Sequence, residues 1–223
     1  MVRCARTGKS CEFMKPSSPK PQAKTLAKKR KILERALSCF SQHGVENTTI
    51  DMICQATDTS VGSLYHHFGN KEAIAAAVFI EGMRDFSTLV MEYLSKIEPK
   101  ELSPQQQAEQ GIKALVYANV DWISEHPTWA QFVFHHRGMV SKGGAGDTLK
   151  TDISAFYRKL TQLMGPLIEQ GVVKQLPVQV YGSFISGPVH DYARHYLAGR
   201  YPQPLLEYRE VFAEGAWQAL KRN

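Results

Sequence analysis

Between Thr48 and Lys71 the chain carries two helix starts and two helix stops in quick succession, and this punctuation restricts its fold more than any other feature. Thr48-Thr49-Ile50-Asp51 reads as a capping box, with Thr48 as N-cap and Asp51 at the third helical position. The helix it opens is short. Ile50, Ile53 and Cys54 face inward, and the pattern ends near Ala56-Thr57. Thr57-Asp58-Thr59 forms a turn, Ser60 is the next N-cap, and a helix Val61–Phe68 follows. Gly69-Asn70 stops that helix, and Asn70 caps a long one running from Lys71 to about Ile97. Upstream, Ile32, Leu33, Ala36, Leu37 and Phe40 share one helical face that Gly44 brings to an end. A supporting helix followed by two short helices across a tight turn has helix-turn-helix spacing.

The composition of Val61–Phe68 points outward. Leu64 and Phe68, four apart, make one apolar face; the remaining side chains are small or polar. Gly62 near the start of so short a helix costs about 1 kcal/mol relative to Ala, so helix stability does not explain it, whereas close approach to another backbone does. Charge is distributed unevenly in the same sense. Residues 1–71 hold 12 Lys and Arg against five Asp and Glu, a net +7, while residues 72–223 hold 15 against 16, a net −1. Lys24, Lys28, Lys29, Arg30 and Lys31 crowd the start of a helix, where cations oppose the macrodipole and a nearby phosphate backbone would relieve them. A basic front joined to a neutral remainder suggests a polyanion partner for the front alone, although a solvated basic surface would look the same.

At these residues the chain resembles the DNA-binding domain of the TetR/AcrR family of bacterial transcriptional repressors. The resemblance covers residues 26–80. It rests on the Ile32–Phe40 face with Gly44, on Thr48-Thr49-Ile50, on Ser60-Val61-Gly62-Ser63-Leu64-Tyr65-His66-His67-Phe68, and on Gly69-Asn70-Lys71-Glu72-Ala73. One departure stands out: Asp58-Thr59 occupies the place where the family usually has Gly-Val. Asp tolerates left-handed backbone better than most residues, so the turn is expected to survive. The resemblance implies an all-α fold with an N-terminal three-helix helix-turn-helix domain and a C-terminal helical domain for ligand binding and dimerisation. It implies a DNA-binding domain over 23–70 and an effector-binding and dimerisation domain over 71–223; ahead of them, Lys-Pro-Ser-Ser-Pro-Lys-Pro at 15–21 and the lack of residues that could pack predict a disordered basic tail over residues 1–22. The residues it assigns to DNA are Thr49, Ser60, Val61, Gly62, Ser63, Tyr65, His66, His67 and Lys71. Leu64 and Phe68 would instead hold the reading helix onto its own domain.

Beyond the long helix the pattern stays helical. Ser103-Pro104-Gln105-Gln106 starts a helix that runs to about His126, and Pro127 begins another through about Arg137. A flexible loop is expected over Gly138–Asp147. Further helices are expected over Thr148–Gly171, with a kink at Pro166, and over Pro177–Ala198 and Pro204–Lys221. In the resembling family the last two helices pair with those of a second subunit, which places Tyr181, Phe184, Ile185 and Phe212 in a dimer interface. The central helices surround an effector cavity in that family. The aromatic set here supplies Phe86, Tyr93, Tyr117, Trp122, Trp129, Phe132, His136 and Tyr157, although aromatic residues at helical spacing are equally a core.

Several classes are not expected. The longest apolar run, Ala73–Ile80, has eight residues, whereas a bilayer-spanning helix needs about 20. No apolar run follows the first residues, so no secretory signal is expected and the bacterial cytosol, with association to the nucleoid, is the expected compartment. Cys4, Cys11, Cys39 and Cys54 have no zinc spacing, and no metal or other cofactor is expected. His135-His136 and His190 with His195 are not spaced to share a helix face, and no catalytic motif appears. The expected partners are a double-stranded DNA operator, a small lipophilic or aromatic effector and a second copy of the chain. The alternative is a helical adaptor that binds proteins without DNA.

Overall fold

A computed structural model describes residues 21–136 and 145–222. Among them are ten α-helices: α1 (Pro21–Asn47), α2 (Ile50–Thr57), α3 (Val61–Phe68), α4 (Lys71–Ser95), α5 (Pro104–Glu125), α6 (Pro127–His136), α7 (Ala145–Glu169), α8 (Val178–Ile185), α9 (Gly187–Leu197) and α10 (Arg209–Leu220). The fold is all-α, as expected. The tail expected over residues 1–22, with Cys4 and Cys11, lies outside the described residues apart from Pro21 and Gln22, which open α1. The loop expected over Gly138–Asp147 also lies largely outside them, although its last residues already belong to α7.

The helix ends follow their caps, with three corrections. Ser60, Asn70 and Ser103 cap as expected, each accepting from the amide three residues on: Ser63 at 3.3 Å, Ala73 at 2.7 Å and Gln106 at 3.3 Å. The α2 cap, however, is Thr49 rather than Thr48. Thr48 is buried, and its hydroxyl donates to the carbonyls of Gly44 at 2.7 Å and Cys39 at 3.3 Å, so it is committed to closing α1. Thr49 accepts from the Met52 amide at 3.2 Å, and the reciprocal partner is the Met52 sulfur rather than the Asp51 carboxylate. The helix expected over Pro177–Ala198 is two helices. Pro188 has no N–H to continue the hydrogen-bond ladder, and the chain breaks at Ser186 between α8 and α9. The one expected over Pro204–Lys221 begins as a 3-10 turn, Leu205–Tyr208, before α10.

The packing has α5 at its centre. Ala108, Ile112, Leu115, Val116, Asn119, Trp122 and Ile123 are buried on several sides of it, the pattern of a helix enclosed by neighbours. The α4 helix lies beside α5 and packs also on α1, α6 and α7, while α10 covers the opposite side of α5. The expected α1 face is entirely buried: Ile32, Leu33, Ala36, Leu37 and Phe40 join one apolar core that extends to Leu220. Each large aliphatic side chain enclosed in this way contributes about 1.5–3 kcal/mol. A polar staple fastens α10. The Arg209 guanidinium donates to both Asp121 carboxylate oxygens, at 2.7 and 2.9 Å, and lies 3.8 Å from the Tyr117 ring centre. The Tyr93 hydroxyl donates to the same carboxylate.

One contact controls how closely α6 lies on α4. The Trp129 indole N–H donates to the Val78 carbonyl at 2.9 Å, and the ring sits against Gly82. A Cβ at Gly82 would fall 2.3 Å from the indole Cδ1. Gly82→Ala should therefore destabilise the fold by about 1–3 kcal/mol through overpacking, despite the better helix propensity of Ala. Urea unfolding would register this as a lower midpoint at unchanged slope. A midpoint equal to that of the wild type would mean that α6 moves aside freely.

Candidate nucleic-acid interface

The site is built on α3, an eight-residue helix fixed by its ends and by one face. Ser60 caps its start, and Gly69, at φ 88°, ends it, with its amide donating to the Tyr65 carbonyl at 2.9 Å. Leu64 is 1% exposed and Phe68 half-buried, so these two anchor the helix as their spacing predicts. The turn before α3 depends on Asp58, whose φ of 49° and ψ of 45° are left-handed. It is the described non-glycine residue with positive φ, at the position where the sequence departs from the resembling family.

What remains of α3 faces away from the core. Val61 is 43% exposed and Tyr65 52%, and Gly62, His66 and His67 are exposed as well. Positions 61, 62, 65 and 66 form one stripe of a 3.6-residue helix, flanking the face that carries the Leu64 and Phe68 anchors. A Cβ built on Gly62 meets nothing described within 4 Å, so no contact inside the chain requires glycine there. Ser60 and Thr49 are exposed, although the hydroxyl of each is already an acceptor for its own helix cap, and Ser63 is half-buried.

Cations gather around this helix. Lys28, Lys29, Lys31 and Arg35 are exposed on α1. The Lys29 ammonium lies 5.4 Å from the Phe68 ring centre, so it reaches the foot of α3. Sequence reasoning did not single Lys29 out; its signal was the basic run at 28–31. Lys71, expected to be directed toward phosphate, donates to the Glu46 carbonyl at 2.8 Å and ties the start of α4 to the end of α1. An ammonium has three donors, so two remain.

The other expected site residues occupy several separate environments. Tyr93 and Tyr117 belong to the Arg209 staple, where the Tyr117 hydroxyl donates to Glu210 at 2.6 Å. Burial, then the Glu210 carboxylate, pushes the Tyr117 phenol up to about 12. Phe86 packs on Trp122, with ring centres 5.6 Å apart, and the Trp122 N–H donates to Asp85 at 3.1 Å. Trp129 lies on α4, Phe132 and His136 lie against each other beside α1, and Tyr157 is 49% exposed. Of the four expected interface residues Phe184 is exposed; Tyr181, Ile185 and Phe212 are half-buried against the core of their own chain. The Tyr181 hydroxyl donates to the Lys174 carbonyl at 2.6 Å. Cys39 is buried and Cys54 half-buried, and burial raises both thiols. Among the described residues no three His, Cys, Asp or Glu side chains cluster to hold a metal, and no helix is long and apolar enough to cross a membrane.

Among the described residues the chain is helical and presents the short helix α3 as the second limb of a helix-turn-helix. Residues 32–78 match the family described as bacterial regulatory proteins, tetR family. The transcriptional repressor AcnR of Corynebacterium efficiens is 36% identical over 69 residues, 31% of this chain and 37% of that protein. The chain thus spans little more than a third of that curated relative. Whole-chain likeness comes from structures. A TetR family transcription regulator from Marinobacter aquaeolei superposes with a TM-score of 0.70 at 16% identity, covering 91% of this chain and all of the other. FadR from Bacillus subtilis, solved in complex with stearoyl-CoA, superposes with a TM-score of 0.62 at 14% identity, covering 84% and 96%. The helix-turn-helix segment thus matches the bacterial tetR regulatory family, and the chain as a whole shares the fold of these solved structures.

Gly62→Ala should leave the fold intact, or stabilise it by up to about 1 kcal/mol, since Ala is the better helix former and meets open space. Circular dichroism melting would show an unchanged or higher midpoint. A clear loss of stability would reveal a structural need for glycine and remove the reason for placing a partner's backbone against it.

Proposed function

We infer that the protein is a sequence-specific, double-stranded-DNA-binding transcriptional repressor that acts in the bacterial cytosol as a homodimer. The observation that carries this reading is α3, whose Val61–Gly62–Tyr65–His66 stripe faces away from a core that holds the helix by Leu64 and Phe68. A major groove accepts such a helix. Val61, Gly62 and Ser63 would lie nearest base edges, and Tyr65, His66 and His67 would reach bases or phosphates. Thr49, Ser60, Lys71 and the Lys28–Lys31 run would serve the backbone, fixing register without reading sequence. The division into a DNA-binding segment, 23–70, and a regulatory segment, 71–223, belongs to the same reading, as does the assignment of 1–22 to a basic tail.

Dimerisation would use α8 and α10. The α8 helix is apolar in composition yet fully buries none of its side chains within the chain, Tyr181 and Ile185 being half-buried. Phe184, Val178, Leu206 and Val211 are 42–66% exposed on or beside these two helices, which pack together. An apolar surface of this kind is ordinarily covered by a partner. The effector would be a small lipophilic or aromatic molecule. The eight aromatic and histidine positions expected to bind it do not surround one space; its entry would instead lie where α7 overlies α4 and α5. There Phe86, Phe156 and Leu160 pack on Val90, Leu115 and Ala118. That FadR, of similar fold, was solved with stearoyl-CoA supports a lipophilic class.

Selection of bound sequences from random DNA should return near-palindromes, because two identical subunits present two identical helices. Fluorescence-anisotropy titration of a selected site should show log affinity falling by about 0.9 per neutralised phosphate as log salt rises. A slope near zero, or no selected sequence, would favour the helical adaptor instead. Phe184→Arg should yield monomers by sedimentation at micromolar concentration with helical content preserved, since that ring is exposed in the single chain. A dimer unaffected by this change would place the interface elsewhere.

A further inference from the structure

Between α1 and α6 lies a cavity of about 220 Å³. Phe40 and Ser41 form its wall on α1; Thr128, Phe132, His135 and His136 form its wall on α6. It is remote in kind from both surfaces discussed above. It faces neither α3 nor α7, and it sits on the seam where the first helix of the helix-turn-helix meets the body of the chain.

The lining defines what would fill it. The Phe40 and Phe132 rings stack at 5.8 Å and 23°, and the His136 ring lies 4.4 Å from Phe132, so one side is a continuous aromatic surface. The other side offers the Ser41 and Thr128 hydroxyls and the His135 imidazole. His135 Nδ1 is 2.7 Å from the Gln131 carbonyl, which only accepts, so Nδ1 carries the proton and Nε2 of the neutral ring is an acceptor. Among the described residues no Lys, Arg, Asp or Glu lines the space. Burial, reinforced by neighbouring His135 and opposed by Glu46, holds His136 below its ordinary value and so favours the neutral ring. These lining residues suit a neutral ligand better than an ionic one. Size narrows the class further. The volume, about 220 Å³, is below the roughly 300–1,000 Å³ of drug-sized sites, which restricts the occupant to a small molecule.

We propose that the α1–α6 cavity is a binding site for a neutral planar heteroaromatic molecule of one or two rings bearing an N–H or O–H donor. The ring would lie on the Phe132 and His136 surface, and the donor would meet His135 Nε2 or one of the two hydroxyls. Such an occupant touches two helices at once and braces α1 against α6.

Indole is a suitable probe. In ¹H–¹⁵N spectra of the full labelled chain, indole should move the imidazole resonances of His135 and His136 saturably. Those of His43 and His195 should stay in place; they serve as internal controls. Ser41→Trp and Thr128→Phe fill the cavity from opposite walls at exposed helix positions, so at least one should keep wild-type helicity. Each folded variant should weaken the apparent affinity by about tenfold or more. Shifts that never saturate, that move all histidines alike, or that persist unchanged in a folded filled variant would overturn the site. The readout contains no DNA, so it stands or falls separately from the proposed function.

Discussion

Everything on the front of this molecule depends on how α4 is held between two parts of the chain. Trp129 presses α6 onto Gly82 and claims the Val78 carbonyl. One turn further along, Asp85 gathers partners from two other helices and from the residue that ends one of them. Arg30 of α1 donates to it at 2.9 Å and Trp122 of α5 at 3.1 Å, and His126, just past the end of α5, lies 3.5 Å away. Arg30 also meets Glu34 and Glu81, at 3.4 and 3.9 Å. These groups are partly exposed, so their Coulomb energies are small. Their geometric effect is larger, because one carboxylate fixes the relative positions of α1, α4 and α5. The α3 helix has no comparable polar support of its own. It takes its orientation from α2 and α4, on which it packs through Leu64 and Phe68, and the Lys71–Glu46 link ties the start of α4 to α1.

This arrangement explains a chain that is basic in front and neutral behind. Uncompensated positive charge is concentrated on α1, at Lys28, Lys31 and Arg35, whereas the body uses charge internally. Lys113 shows the second use. It meets Glu109 at 3.0 Å, Glu214 at 2.7 Å and Glu210 at 3.4 Å, which raises its ammonium well above the ordinary value and spends its charge between α5 and α10. Lys28, Lys31 and Arg35, by contrast, stand exposed on α1. A positive field is useful to an encounter with DNA only when it is left uncompensated at the surface.

Local chemistry was legible in the sequence, and long-range chemistry was not. The bounds of α2, α3 and α6 and the caps Ser60, Asn70 and Ser103 follow from residues within four positions of each other. So does the left-handed Asp58. The Thr48–Thr49 ambiguity was harder, because both hydroxyls suit a cap; only the packing that buries Thr48 against Cys39 and Gly44 decides it. The break at Ser186 was available from Pro188 but was masked by an otherwise unbroken apolar pattern. Gly82 gave no signal at all, since its reason is an indole contributed by residue 129. The Arg209 staple joins residues more than 80 positions apart and removes Tyr93 and Tyr117 from any apolar pocket, which no periodicity could show. Aromatic residues at helical spacing announce burial, but not whether the space they enclose is filled by one another.

The same geometry limits how a signal from the body reaches the reading helix. A ligand changes DNA affinity only by binding two conformations unequally, and coupling of about 1–3 kcal/mol corresponds to roughly 5- to 150-fold. Such a difference has to be expressed at contacts that exist in one arrangement and not in the other. In this chain the buried α1 face joins the helix-turn-helix to the body, and beside it stand three discrete contacts: the Arg30–Asp85 pair, the Phe40–Phe132 stack and the Lys71–Glu46 link. Two of the three lie on α4 or at its start, the stack lies on the neighbouring α1–α6 seam, and the indole on Gly82 ties α6 to α4 within the body. A shift of α7 acts on the far end of α4, near Val90, and must travel about two turns to Gly82. The indole there is wedged against backbone with no room for a methyl group, so α4 cannot slide past α6 by small continuous steps. A displacement at that point either carries α6 with it, and the Phe132 stack on α1 too, or breaks the hydrogen bond to Val78. Either alternative is a discrete rearrangement of packed side chains, the kind of element that converts a small movement at one site into a changed angle at another.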